Sequence, residues 1–109
     1  MAKTAVYWQR GESIDYKNNA DTVIPANTVV LVGKKMGIAG TDIMPGETGS
    51  LHMVGVFEIP KKSGVVLEAG DNIVFTDEDG IDKAISDVMG YAVEAAAAGA
   101  ASVKVKLMG

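Results

Sequence analysis

Residues 90–109 read GYAVEAAAAGAASVKVKLMG, and the fold class depends on whether the alanine run at 95–98 belongs to a helix or a sheet. A helix over 91–98 would have about two turns, and isolated helices shorter than about 12 residues are marginal in water. It would also lack a stripe of large apolar side chains. Helix is therefore the weaker interpretation, although it remains the alternative for residues 91–98.

The same stretch fits a sheet on both sides of the alanine run. As a strand, GYAVEAA alternates Tyr91 and Val93 with Ala92 and Glu94. The following AAGAA is typical of a turn between strands, and it leads into SVKVKLM, in which valine and lysine alternate. We therefore expect a strand, a small-residue turn and a second strand over residues 102–107.

Alternation with a period of two also marks the rest of the chain. NTVVLVG and DNIVFTD are short, β-branched and bounded by turn residues, and Asp79-Gly80 in DEDGID indicates a hairpin. SLHMVGVFEI predicts one strand, with Leu51, Met53, Phe57 and Ile59 on one face and His52, Val54, Val56 and Glu58 on the other.

These segments predict an all-β (mainly β) fold, a small β-barrel or sandwich of about six to eight short strands. At 109 residues the chain has room for one domain, residues 1–109, in which residues 1–10 are a possible N-terminal arm. The sequence shows no evident internal repeat.

Charge and composition exclude several classes of protein. The net charge is −4, and the lysine pairs are isolated, whereas a nucleic-acid-binding protein needs a basic surface. There is no cysteine, no apolar segment of a signal peptide and no run that approaches a membrane span. We expect a soluble protein made in a cytoplasm, without nucleic acid or membrane as a partner.

The sequence predicts no catalytic residue, no cofactor site and no metal site. Gly33-Lys34 lacks the earlier glycine and the following Ser or Thr of a phosphate-binding loop. His52 is the only histidine, and we interpret it as a surface or interface residue of a strand. A small hydrolase centred on His52 is the weakest functional alternative.

Two groups of residues are candidates for a protein interface. The first is Tyr7, Trp8 and Tyr16 with Arg10, because Trp, Tyr and Arg dominate interface energetics; alternatively, these rings cap the core of an ordinary first strand. The second is Val54 and Val56 beside His52, because a strand that is apolar on both faces suggests cover by another subunit. The alternative is that a local sandwich covers both faces.

The chain as a whole resembles a known family, from about residue 7 to its end. IPANTVVLVGKKMGIAGTD, GVFEIPKKSGVVLEAGDNIVFTD, GYAVEAAAAG and SVKVKLMG carry the resemblance by their order and spacing. The family is that of the small phage capsid cement or decoration proteins, once labelled predicted RecA/RadA-type phage recombinases.

The resemblance implies a mostly β, non-enzymatic virion protein of a phage or prophage, made in the host bacterial cytoplasm. It would bind the major capsid protein on the capsid surface, commonly as a homotrimer, and cement the shell. The older label implies an accessory protein of phage DNA recombination, and the missing phosphate loop and the acidic charge argue against that alternative.

Overall fold

The structure, a computed structural model, describes residues 2–109 and contains nine β-strands and no helix within them. The prediction of an all-β fold is confirmed, with one strand more than the upper limit of the six to eight expected. The strands are β1 (Ser13–Lys17), β2 (Val29–Val32), β3 (Lys35–Ala39), β4 (Thr48–His52), β5 (Val56–Pro60), β6 (Asn72–Thr76), β7 (Gly80–Lys83), β8 (Gly90–Ala92) and β9 (Ser102–Leu107).

The strands form two sheets in a sandwich-like domain. One sheet has the order β1-β4-β3-β2 and the other the order β5-β9-β8-β6-β7, and every ladder is antiparallel. One isolated parallel bridge, between Lys61 and Ile81, links the two edges of the five-stranded sheet, but no ladder pairs β5 with β7. Neither sheet is therefore a closed barrel, and the sandwich is the correct one of the two predicted architectures.

The alanine run is part of the sheet architecture and not a helix. Strand β8 ends at Ala92, the chain then bends, and Ala96 forms a buried bridge with Leu67. The Ala100 amide donates to the Ala97 carbonyl oxygen at 3.0 Å, which closes the predicted small-residue turn before β9. The predicted strand over 102–107 is confirmed.

The prediction of one continuous strand through SLHMVGVFEI is wrong. Strand β4 ends at His52, β5 begins at Val56, and the two strands belong to different sheets. The break occurs because Gly55 has φ +123°, a conformation that L side chains rarely adopt. Inward and outward positions nevertheless follow the predicted alternation across the break: Leu51, Met53 and Ile59 are buried, Phe57 is half-buried, and His52, Val54, Val56 and Glu58 are exposed.

The two sheets repeat one pattern of strand pairing. The pairing of β1 with β4 is matched by that of β5 with β9, the pairing of β3 with β4 by that of β8 with β9, and the pairing of β2 with β3 by that of β6 with β8. Matching residues differ by 43 in number between β1 and β5 and between β2 and β6. The difference is 53 between β3 and β8, and 54 between β4 and β9. The matching residue pairs are Ser13–His52 and Val56–Lys106, Ile38–His52 and Tyr91–Lys106, and Val29–Ile38 and Asn72–Tyr91.

The loops follow the same pattern as the strands. The bridge Ile24–Ile43 of the first sheet corresponds to Leu67–Ala96 of the second, with the same offsets. We call residues 13–53 the first unit and residues 56–107 the second unit. Strand β7 has no counterpart in the first unit, so β7 and the acidic turn that precedes it are an insertion between β6 and β8. The sequence interpretation that the chain has no internal repeat is therefore wrong.

Each unit buries one face of its sheet under its own bridge segment. In the first unit these residues are Ala39, Ile43, Leu51 and Met53, and their counterparts in the second unit are Ala92, Ala96, Val105 and Leu107. The first unit also packs its other face on the second unit, where Met36 and Ile38 are buried with Ile59.

Candidate binding surface

Within residues 2–109 the structure assembles no group of three or more His, Cys, Asp and Glu side chains that could hold a metal ion. The His52 ring lies against Phe57, with ring centroids 6.2 Å apart and an interplanar angle of 29°. No hydrogen bond between described side chains involves this ring. His52 thus belongs to the contact between the two units, at the end of β4. None of the described residues forms a helix long and apolar enough to cross a membrane.

The N-terminal arm, predicted at residues 1–10, is exposed and forms no strand over its described residues 2–10. The side chains of Tyr7 and Trp8 are 78% and 84% exposed. Arg10 forms an exposed ion pair of 2.9 Å with Glu12, and the Met53 amide donates to the Glu12 carbonyl oxygen, where the chain enters β1. Two large aromatic side chains are thus presented to solvent next to a guanidinium group, on a segment that contributes nothing to either core.

Tyr16 differs from the other three residues of the first candidate group. It lies in β1, is half-buried and packs against the core of the first unit together with Ile14 and Ile24. The structure therefore brings Tyr7, Trp8 and Arg10 together on one segment and places Tyr16 at the edge of the sheet.

The second candidate group surrounds the connection between the units. Val54 and Val56 are 45% and 54% exposed, and Met108, at the end of the chain described, is 51% exposed. The Leu107 amide donates to the Gly55 carbonyl oxygen, which holds the two segments together. Among residues 2–109 no second sheet covers Val54 and Val56, so the alternative of a local sandwich around them is wrong.

Val56 is the edge of a larger exposed surface on the five-stranded sheet. In register it adjoins Lys106, and Lys106 adjoins Tyr91, whose ring centroid is 5.7 Å from the Lys106 ammonium nitrogen. Lys104 pairs with Glu94 at 3.4 Å on the same sheet. We call this surface the free face of the second unit; its members are Val56, Asn72, Val74, Tyr91 and Lys106, of which Val74 and Tyr91 are half-buried. Sequence reasoning found only Val56 among them.

Two cavities of about 170 and 420 Å³ open between the sheets beside β2. Val29 and Pro60 line both, so the cavities mark where the first unit meets strand β5 of the second. Phe57 and Ile59 line the smaller one, and the acidic hairpin borders the larger one. Asp77, Glu78 and Asp79 of this hairpin line the larger cavity, but the described residues form no group there that could hold a metal ion.

These features define a class of protein before any comparison with others. The described residues form a small β-sandwich whose exposed specific features are an aromatic arm and a mixed apolar and basic sheet face. Such surfaces bind proteins, because aromatic and arginine side chains are the ones enriched in interfaces.

Comparison with known families identifies the chain more closely. The phage cement protein family model matches residues 8–107, so the chain belongs to the phage cement protein family. It is therefore a structural protein of the phage virion, as the sequence resemblance implied. Among curated proteins, none matches this sequence.

One solved structure is similar, that of the N base of the head fiber of bacteriophage phi29. The two share 18% sequence identity, the alignment covers 87% of this chain and 93% of that one, and the TM-score is 0.45. At this level of similarity the comparison carries no argument about function.

Proposed function

We propose that this protein binds the outer surface of the assembled capsid, through the major capsid protein, and stabilises the shell without catalysing a reaction. Membership of the phage cement protein family carries this proposal. The exposed aromatic arm supports it, because a segment that packs against neither core of its own domain is available for a partner.

The N-terminal arm is the anchor to the shell in this proposal. Tyr7 and Trp8 would be buried against capsid protein, and Arg10 would exchange its exposed pairing with Glu12 for a partner carboxylate. Burying one large aromatic side chain contributes on the order of 2 to 3 kcal/mol. Val54 lies beside the base of the arm and would extend the contact.

Stabilisation of the shell follows from mass action. A protein that binds the assembled shell, but not its dissociated parts, stabilises it by about 2.7 kcal/mol per site at a hundred times the dissociation constant. Repeated over many sites, this raises the temperature of disassembly without any catalytic step. The protein would act as a homotrimer on the virion surface, after synthesis in the host bacterial cytoplasm.

Co-sedimentation with emptied capsids of the same phage tests the proposal. We expect the wild-type chain to sediment with capsids and the Trp8→Ala variant to need on the order of a hundredfold higher concentration. Ile85→Ala is the matched control, because Ile85 is a fully exposed apolar residue outside the arm. Absence of wild-type binding to intact capsids would contradict the proposal.

A further inference from the structure

The contact between the two units of the chain is made by two different surfaces. The first unit contributes a sheet face whose members are Val29, Leu31, Met36, Ile38 and His52, and the second unit contributes the edge strand β5 with Phe57 and Ile59. A contact of this kind is heterologous, so it leaves one copy of each surface unused at the two ends of the pair.

Because the two units share one pattern of strand pairing, the residues of each surface that is left without a partner can be identified. The free face of the second unit corresponds to the packed face of the first: Val74 corresponds to Leu31, Tyr91 to Ile38 and Lys106 to His52. Met89, the counterpart of Met36, already packs against the buried core and is not part of the free face. The edge strand β1 of the first unit corresponds to β5 of the second. Ile14, Tyr16 and Lys17 of β1 occupy the positions of Phe57, Ile59 and Pro60 of β5.

We propose that the free face of the second unit binds strand β1 of a second copy of this chain, and that this contact repeats the one between the two units within each chain. Successive copies then associate head to tail, and such a contact closes into a ring when the rotation between copies permits. A ring of three copies would contain six units in sequence.

Burial in the isolated chain agrees with an unfilled contact. Within the chain, Ile59 of β5 is 2% exposed and Ile38 of the packed face is 3% exposed. Their counterparts Tyr16 and Tyr91 are only half-buried. Both are tyrosines, and a ring with a polar tip suits a surface that is exposed before assembly and covered after it.

One pair of opposite charges is available across the proposed contact. The free face carries the exposed side chain of Lys106, and strand β1 carries the exposed side chain of Asp15 beside that of Lys17. Asp15 corresponds in register to Glu58, which lines the cavity between the units within the chain. Opposite charges at the rim of an interface favour the correct pairing and disfavour others.

Cysteine pairs test the contact directly, because the natural chain has no cysteine. Asn72→Cys/Lys17→Cys places thiols at the proposed contact between copies, at two exposed positions. Val29→Cys/Pro60→Cys is the matched control, because it places thiols at the corresponding positions of one chain. With oxidation or a short thiol cross-linker, we expect the first pair to give multiples of the 11.3 kDa chain on a denaturing gel and the second to give cross-linked monomer.

Substitutions separate this contact from capsid binding. Tyr91→Glu and Val56→Lys should each raise the dissociation constant for self-association, by sedimentation, at least about 30-fold. Val66→Lys, at a residue 56% exposed but outside the free face, and Trp8→Ala should leave it unchanged. Circular dichroism checks that each variant folds.

The inference is overturned if the wild-type chain sediments as a monomer at tens of micromolar, or if Asn72→Cys/Lys17→Cys yields no more oligomer than either single variant. Equal weakening by Val66→Lys and Val56→Lys would also overturn it. None of these outcomes depends on capsids, so failure here is distinguishable from failure of the proposed function.

Discussion

Asn18 and Lys61 occupy the same position in the two units, and each donates a hydrogen bond to the backbone carbonyl oxygen four residues further along the chain. The Asn18 amide nitrogen lies 2.8 Å from the Thr22 oxygen, and the Lys61 ammonium nitrogen lies 2.6 Å from the Val65 oxygen. These are the two buried polar or charged side chains among the residues described. Different chemistry thus serves one structural role, which is to hold the loop that follows the first strand of each unit.

Removal of the Lys61 ammonium group should destabilise the fold. Lys61 also donates to the carbonyl oxygens of Lys62 and Ala98, so Lys61→Met leaves acceptors in a buried site without their donor. A buried unsatisfied polar group costs about 1 to 3 kcal/mol. Urea unfolding should show a loss of this size, whereas Lys62→Met, whose charge is exposed, should change the free energy of unfolding by less than about 0.5 kcal/mol. Equal effects of the two substitutions would contradict the assigned role.

Ile43 and Gly49 should depend on each other. A Cβ atom at Gly49 would lie 2.5 Å from Ile43 Cγ1, whereas the corresponding positions of the second unit hold Ala96 and Val103. Gly49→Val should therefore cost about 1 to 3 kcal/mol by overpacking, and Ile43→Ala about 2 to 5 kcal/mol by leaving a cavity.

The double variant Ile43→Ala/Gly49→Val reproduces the pair of the second unit. We expect it to be at least about 1 kcal/mol more stable than the sum of the two single changes predicts. Urea unfolding of wild type, the two single variants and the double variant measures this coupling. Strictly additive free energies of unfolding would show that the side-chain volumes at positions 43 and 49 do not compensate for each other.

Much of the fold could be predicted from the sequence because single strands carry local signals. Alternation identified β9, short β-branched stretches bounded by turn residues identified β2 and β6, and Asp79-Gly80 marked the hairpin at which Gly80 adopts φ +77°. The alternation through residues 50–59 correctly predicted which side chains are exposed, but it wrongly predicted one continuous strand where the chain forms the end of β4 and the start of β5. A glycine between two apolar residues does not reveal in the sequence that the chain changes sheet there.

The repeat was missed because register, not side-chain identity, is what the units share. The clearest sequence identity between the units lies in two four-residue segments, MGIA at 36–39 and MGYA at 89–92. The first segment lies in β3, the next strand after β2, whereas β7 is inserted between β6 and the second segment. For the same reason the free face could not be recognised. Tyr91 and Lys106 lie on different strands, and only the register brings them together.

Acid should weaken the protein partly through Asp71. The Glu68 backbone amide donates to its carboxylate at 2.9 Å and Lys83 lies 3.5 Å away, which together hold the pKa of Asp71 below its ordinary value. A lowered pKa means that the folded state favours the charged form. The resulting stability is present above the ordinary pKa and is lost as the pH falls through the lowered one.

Unfolding free energies measured from neutral to acidic pH test this contribution. Asp71→Asn should be less stable than wild type at pH 7, and the two curves should converge in acid. Asp21→Asn, at an exposed loop residue, serves as the control and should change the free energy of unfolding at pH 7 by less than about 0.5 kcal/mol. A constant gap between Asp71→Asn and wild type at all pH values would assign the effect to lost hydrogen bonding alone.

Trp8 is the only tryptophan of the chain and reports directly on the arm. Because it is 84% exposed, the free protein should show the emission maximum of a solvated indole. Addition of capsids should shift the maximum to shorter wavelength as the ring is buried. If the emission maximum of the free protein already lies at short wavelength at low concentration, Trp8 is buried in the core of its own domain.

Calorimetry of capsids without the protein, with wild type and with Trp8→Ala tests the cement function most directly. We predict that wild type raises the disassembly temperature of the shell and that Trp8→Ala, at the same concentration, does so much less, since it occupies fewer sites. Equal stabilisation by the two proteins would contradict the role of the arm. An unchanged disassembly temperature with saturating wild-type protein would contradict the claim that this chain cements the capsid.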